Sequence, residues 1–218
     1  MDNPLIDMPG LPPFGRIRPE QVEPAIDFLL ARNRARIVEL VQTVGFATWE
    51  NFIEPLEILG DGLERAWSPV GHLNAVMNSD DLRAAYNASL PKLSDYATEL
   101  GQNQALFEGY RTVATQEHLD STQRKLLENA LRDFHLSGID LPPDRQDRFR
   151  TIDRELSRLA SKFSENLLDA THAWYKPIRD ETQLAGLPES ARALAKQTAE
   201  LRGETGWVLT LDLPSYQS

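Results

Sequence analysis

The stretch at positions 144–170, DRQDRFRTIDRELSRLASKFSENLLDA, sets Phe149, Ile152, Leu156, Leu159, Phe163, Asn166 and Ala170 at successive steps of 3, 4, 3, 4, 3 and 4 residues. An α-helix brings residues three and four apart onto one side, so this spacing predicts one long helix with a narrow apolar seam laid against neighbouring helices. Arg150, Arg154 and Arg158 form a stripe beside the seam, with Asp147, Asp153 and Glu155 close by. Alternating charge of this kind reads as a solvated mixed-charge face rather than a guide for an anionic ligand. Asn166, on the seam itself, reads as a hydrogen-bonded residue that fixes helix register.

Working upstream, the same periodicity recurs. Leu126, Leu127, Ala130, Leu131 and Phe134 form the buried side of a helix from about Ser121 to Leu136, ended by Gly138 in SGIDLPP, where a left-handed glycine can satisfy the last carbonyls. A shorter helix is expected near 104–115. Before it, Ser79 can cap a helix carrying Leu82, Tyr86, Leu90, Leu93, Ala97 and Leu100 despite Pro91. Thr48 can cap another, with Trp49, Phe52, Ile53, Leu56, Leu59, Leu63, Ala66 and Trp67 on one face. Interior prolines remove a donor and clash with the preceding turn, so Pro55 and Pro69 predict a kink at each or a fresh start after Ser68. Pro19 opens, and Gly45 closes, a helix bearing Val22, Ile26, Leu29, Leu30, Ile37, Leu40, Val41 and Val44.

Downstream the period changes to two. His172, Trp174, Lys176 and Ile178 alternate with Ala173, Tyr175 and Pro177, which suits an edge strand. After a helix at 187–201, Trp207, Leu209, Leu211 and Leu213 alternate with Val208, Thr210 and Asp212, a strand with one strongly apolar face. The expected architecture is all-α, a bent multi-helix domain of about seven or eight helices with a small two-stranded β element near the C-terminus. Residues 1–18, with four of the 14 prolines, form an extended proline-rich leader, and residues 19–218 the helical domain.

Composition narrows the function classes. The 218 residues carry 23 Lys and Arg against 33 Asp and Glu, a net charge of −10, which disfavours nucleic acid and anionic membrane partners. With no Cys there is no disulfide, thiolate nucleophile or iron–sulfur cluster. The opening MDNPLIDMPGLPPF has neither the basic nor the apolar region of a signal peptide, and the expectation is a soluble, cytoplasmic protein without membrane or nucleic acid partners.

Motifs that carry chemistry are missing. The four histidines, His72, His118, His135 and His172, include no pair four residues apart, so the His-Glu-x-x-His arrangement of helical zinc proteases is absent. There is no Gly-x-Ser-x-Gly, Gly-x-Gly-x-x-Gly or Gly-x-x-x-x-Gly-Lys pattern. Acidic pairs such as Asp80 with Asp81 or Glu54 with Glu57 read as solvated surface. No catalytic, cofactor-binding or metal-ligating residue is assigned to the chain.

Seven stretches nevertheless carry a resemblance: LPPF from Leu11, TWENFIEPL from Thr48, SPVGHLN from Ser68, ALRDFHLSGIDLP from Ala130, NLLDAT from Asn166, LAGLPESA from Leu184 and LTLDLPSY from Leu209. In order and spacing the chain resembles the N-terminal portion of the thimet-oligopeptidase-like family of zinc metallopeptidases. The resemblance implies a helical region forming one wall of a deep channel, opposite a catalytic region that binds zinc through a His-Glu-x-x-His helix and a later Glu. Those ligands lie downstream of Ser218 in the family, so none is carried over.

It further implies an N-terminal segment without its catalytic domain. The parent would be a cytoplasmic metalloendopeptidase for short peptides, and the segment alone inactive and without zinc. Its partners would be short peptide substrates and the catalytic domain of the same chain. Two isolated strands are marginal, so an exposed apolar area involving the final strand is expected where that domain packs. The alternative is a stand-alone helical module that binds a protein or peptide without catalysis; a reading frame that continues past Ser218 into His-Glu-x-x-His would exclude it.

Overall fold

Helices form where the capping chemistry and apolar spacing place them, and the computed structural model, which describes residues 3–217, has eight α-helices among those residues with one antiparallel pair of strands near the C-terminal end. Met1, Asp2 and Ser218, which fall within the leader and helical segments expected from the sequence, lie outside the described residues. The chain divides into two units, one up to Arg158 and one from Leu159.

In the first unit, helix α1 (Pro19–Leu40) starts on a proline, whose missing N–H costs nothing in a first turn, and the Arg18 N–H donates to Gln21 Oε1 at 2.8 Å. Two of its faces are buried. Ile26, Leu30 and Ile37 enter a core with Phe52, Phe107 and Leu127, while Val22, Ala25 and Leu29 enter a second with Leu5, Val70 and Leu82. Each buried Val, Leu or Ile among them stabilises the fold by about 1.5–3 kcal/mol, which makes α1 the central helix of this unit. Asn33 on α1 is 0% exposed and donates from Nδ2 to the Leu59 carbonyl at 3.1 Å, so its amide is not left unsatisfied.

The leader has no periodicity but is tied down. Leu5 and Ile17 are buried, Asn3 Nδ2 donates to the Gln21 carbonyl at 2.8 Å, and Arg65 donates to the Met8 and Gly10 carbonyls at 2.9 and 3.2 Å.

After a 3₁₀ turn at Val41–Phe46, which contains Gly45, Thr48 caps the next element. Its hydroxyl accepts from the Asn51 N–H at 3.2 Å and its own N–H donates to Asn51 Oδ1 at 2.7 Å. The first turn, Trp49–Ile53, is π-type and passes into α2 (Glu54–Val76) at Pro55, where a missing donor is tolerated. Pro69 does not restart the helix: α2 runs through it to Val76, and the expected fresh start after Ser68 does not occur. One backbone bond is forgone there, while Pro69 and Val70 are both buried, and that burial offsets the loss.

Ser79 caps α3 (Asp80–Gly101) by accepting from the Leu82 N–H at 3.3 Å, and Asn103 caps α4 (Gln104–Ala114) through the Leu106 N–H at 3.0 Å. Helix α5 (Ser121–Leu136) ends on Gly138 at φ +85°. The Gly138 and Ile139 N–H groups bond the carbonyls of His135 and Phe134, both at 3.1 Å, which are the two bonds of a Schellman stop. Helix α6 (Pro143–Ala173) follows.

In the second unit, strands β1 (Tyr175–Ile178) and β2 (Trp207–Thr210) pair antiparallel, Tyr175 opposite Thr210 and Ile178 opposite Trp207. Helix α7 (Glu189–Leu201) buries Ala191, Ala195 and Ala199, a methyl stripe that lets it pack closely against β2. A short helix α8 (Leu213–Gln217) closes the described chain. The covered strand face is the opposite of the one the spacing favours. Val208 and Thr210 are buried, Trp207 and Leu209 only half-buried, and Leu211 and Leu213 exposed. A shallow alanine stripe accepts Val208 and Thr210 more readily than Trp and Leu, and Thr210 is satisfied locally, its N–H bonding Ser215 Oγ at 3.1 Å and its hydroxyl Asp212 at 3.0 Å.

Candidate functional site

The histidines are dispersed. The ring of His72 lies 5.4 Å from that of Phe14, His135 Nδ1 bonds the Asp140 carboxylate, His118 is exposed, and the His172 carbonyl accepts from Arg202 at 3.4 Å. Among the described residues no three His, Cys, Asp or Glu side chains gather into a group able to hold a metal ion. The acidic pairs have a local role. Asp80 and Asp81 lie in the first turn of α3, and Glu54 and Glu57 in that of α2, where negative charge complements the helix dipole. No described helix is long and apolar enough to cross a membrane.

The arginine stripe of α6 is paired. Arg150 bonds Asp147 at 3.1 Å and Arg158 bonds Glu155 at 2.6 Å, each one turn apart, and Arg154 makes a forked bond to Asp95 of α3. An anionic ligand would have to displace these carboxylates, so the mixed-charge reading holds.

The seam of α6 is where the sequence expectation fails. Of the seam residues, Ile152, Leu156, Leu159 and Phe163 are 44, 60, 47 and 70% exposed, Asn166 and Ala170 are exposed with them, and Phe149 is half-buried; Leu167, beside the seam, is 60% exposed. The sheltered positions of α6 are largely polar: Asp153, Ser157 and Ser161 are half-buried and Glu165 is buried, with Phe149 and Leu168 half-buried near the two ends. In the first unit, Asp153 holds this face to α3 by accepting from Ser94 Oγ at 2.6 Å and Thr98 Oγ1 at 3.5 Å. In that unit, directional polar bonds set the rotation of the helix and leave Ile152 and Leu156 outward. Contiguous exposed apolar surface of this kind marks an interaction face.

A second feature was not foreseen. In the first unit a cleft of about 260 Å³ opens between α1, α2, α3, α4 and α5, with Ile37, Leu56, Leu100, Leu106, Tyr110 and Phe134 among its lining residues. Tyr110 is 9% exposed; burial, and secondarily the Glu57 charge, push its phenol well above the usual tyrosine range. Burial likewise raises Tyr96 and Tyr86. A phenol whose folded pKa is raised contributes stability that is fully present below the unfolded value of about 10 and lost as pH rises through the folded one. Unfolding free energy is therefore expected to fall above about pH 10, and to fall less steeply in Tyr110→Phe. Chemical denaturation from pH 8 to 11 checks this; an unchanged slope in the variant would refute it.

A family model described as the N-terminal domain of neurolysin/thimet oligopeptidase matches residues 26–146. Over 99% of its length the chain is 48% identical to oligopeptidase A of Haemophilus influenzae and 47% identical to oligopeptidase A of Escherichia coli. It is 35% identical over 98% of its length to a probable cytosolic oligopeptidase A of Arabidopsis thaliana. In each case the match spans 32% of the relative, so the chain covers about a third of the length of these proteins.

Proposed function

Because the chain belongs to the family of the neurolysin/thimet oligopeptidase N-terminal domain, we propose that it is the non-catalytic helical portion of a zinc-dependent oligopeptidase acting on short peptides in the cytoplasm. The observation that carries this reading is the alignment of nearly the whole chain with a third of proteins named oligopeptidase A. The described residues do not fit a zinc site, since the four histidines are scattered over α2, the loop before α5, α5 and α6, and no three His, Asp or Glu side chains gather around any of them. No hydrolytic step is therefore assigned to this chain. Its part is steric: helices forming one wall of a channel admit an extended short peptide and exclude a folded chain.

The outward apolar seam of α6 supports the same reading as a face for the catalytic portion to cover. Phe163→Glu combined with Leu167→Glu is expected to leave the melting temperature of the 218-residue chain nearly unchanged, because both side chains are exposed. A large loss of stability would contradict the assignment of this face.

The reading as a whole is tested by the size of the native polypeptide. A product about three times the 24.6 kDa of this chain, with His-Glu-x-x-His downstream, is expected from the 32% coverage. A native product of 24.6 kDa would favour the stand-alone module.

A further inference from the structure

Within the first unit, α6 is joined to α3 by polar side chains. Among the described residues neither core of this unit includes a side chain of α6, and even the half-buried Phe149 joins neither. On α3 Ser94 donates and its neighbour Asp95 accepts; on α6 Asp153 accepts and its neighbour Arg154 donates, so two consecutive residues of one helix match two of the other. Thr98, one turn further along α3, offers Asp153 a second hydroxyl at 3.5 Å. Ser94 and Thr98 are 9 and 4% exposed, yet the surface they shelter is polar. Water can replace each of these bonds when the helices part, so opening carries no large hydrophobic penalty and is opposed by the small net worth of the bonds.

The rest of the arginine stripe is arranged to move with α6. Arg150 and Arg158 pair with Asp147 and Glu155, carboxylates three residues earlier on their own helix, whereas the position three before Arg154 is Thr151. Arg154 takes its carboxylate from α3 instead, at Asp95. At the start of α6, Gln146 Nε2 donates to the Gly138 and Ile139 carbonyls at 3.2 and 3.4 Å, a tether about which the helix can turn. We propose that Ser94, Asp95, Thr98, Asp153 and Arg154 form a clasp, through which the part of α6 up to Arg158 exchanges between a docked and a released position on α3 while α1 to α5 stay folded. The Arg154 and Asp95 side chains are 52 and 30% exposed, so salt screens their attraction, but it leaves the bonds from the neutral hydroxyls to Asp153 largely intact. Salt therefore shifts the balance toward release without completing it.

The chain has no Cys, so nitroxide labels on Val38→Cys of α1 and Leu156→Cys of α6, both exposed positions, report one distance within the first unit. At low salt, pulsed electron spin resonance is expected to show one narrow distance, with a longer one in about a tenth of molecules or fewer. The longer population should grow in about 1 M salt. Asp95→Ala combined with Asp153→Ala should make it the major one and change the melting temperature little. Thr151→Glu, which removes no group of the clasp and gives Arg154 a carboxylate on its own helix, should raise it several-fold. A distance distribution unchanged in both variants would overturn the proposal. A large fall in melting temperature in the double variant would overturn it too, because the contact would then be part of the fold rather than a clasp.

Discussion

Gly206→Val is expected to unfold the second unit while the first remains folded. Gly206 adopts φ +90°, and a Cβ built there would overlap the Ile178 carbonyl oxygen and lie 3.4 Å from the Arg179 Cα. Both obstacles are backbone, so no rotamer change relieves them, and a β-branched residue at positive φ is strained in itself. The site adjoins the Ile178–Trp207 pair of the two-stranded sheet, and any relief must pull that pair apart. A cost of about 3 kcal/mol or more is large for a unit of roughly 60 residues, a size at which folds are marginal. Native-state hydrogen exchange should show β1, α7 and β2 losing protection while α1 and α3 keep theirs. Unchanged protection in β2 would show that the two-stranded sheet tolerates the side chain.

Gly109→Ala carries the second large effect, in the first unit. Gly109 is buried on α4, and a Cβ there would fall well inside van der Waals contact of the Phe52 ring, itself 0% exposed. Alanine is the better helix former by about 1 kcal/mol, but overpacking a filled core costs about 1–3 kcal/mol and here exceeds that gain, because Phe52 is also flanked by Tyr110. A net loss of about 2 kcal/mol corresponds to a fall of roughly 4–8 °C in melting temperature. Phe52→Leu alone should also destabilise, yet the double variant should recover part of the sum, a coupling that a thermal double-mutant cycle measures directly. Strict additivity would mean that the methyl group and the ring never meet.

What the sequence reveals is what local chemistry determines. Thr48, Ser79 and Gly138 act on backbone groups within a few residues, and each has the role its residue type implies. The spacing of α6 and of β2 identifies an apolar face in each, but not what covers it. That depends on Asp153 meeting Ser94 across 59 positions of sequence, and on the alanine stripe of α7 selecting Val208. Pro69 shows the same limit, since the burial that offsets its missing donor comes from residues distant in sequence. The cleft could not be read in advance: Tyr110 sits on an apolar helix face like any core aromatic, and the space beside it is a property of the assembled helices. Nor could Arg154 be assigned to Asp95 from its stripe, because the partner lies on another helix.

Zinc content and peptide turnover, measured together on the purified 218-residue chain after incubation with zinc, bear most directly on its role. A non-catalytic helical portion should retain no stoichiometric zinc after dialysis and should cleave fluorescence-quenched short peptides no faster than buffer. One tightly held zinc per chain, accompanied by hydrolysis, would place a complete active centre within these residues and contradict the proposed function.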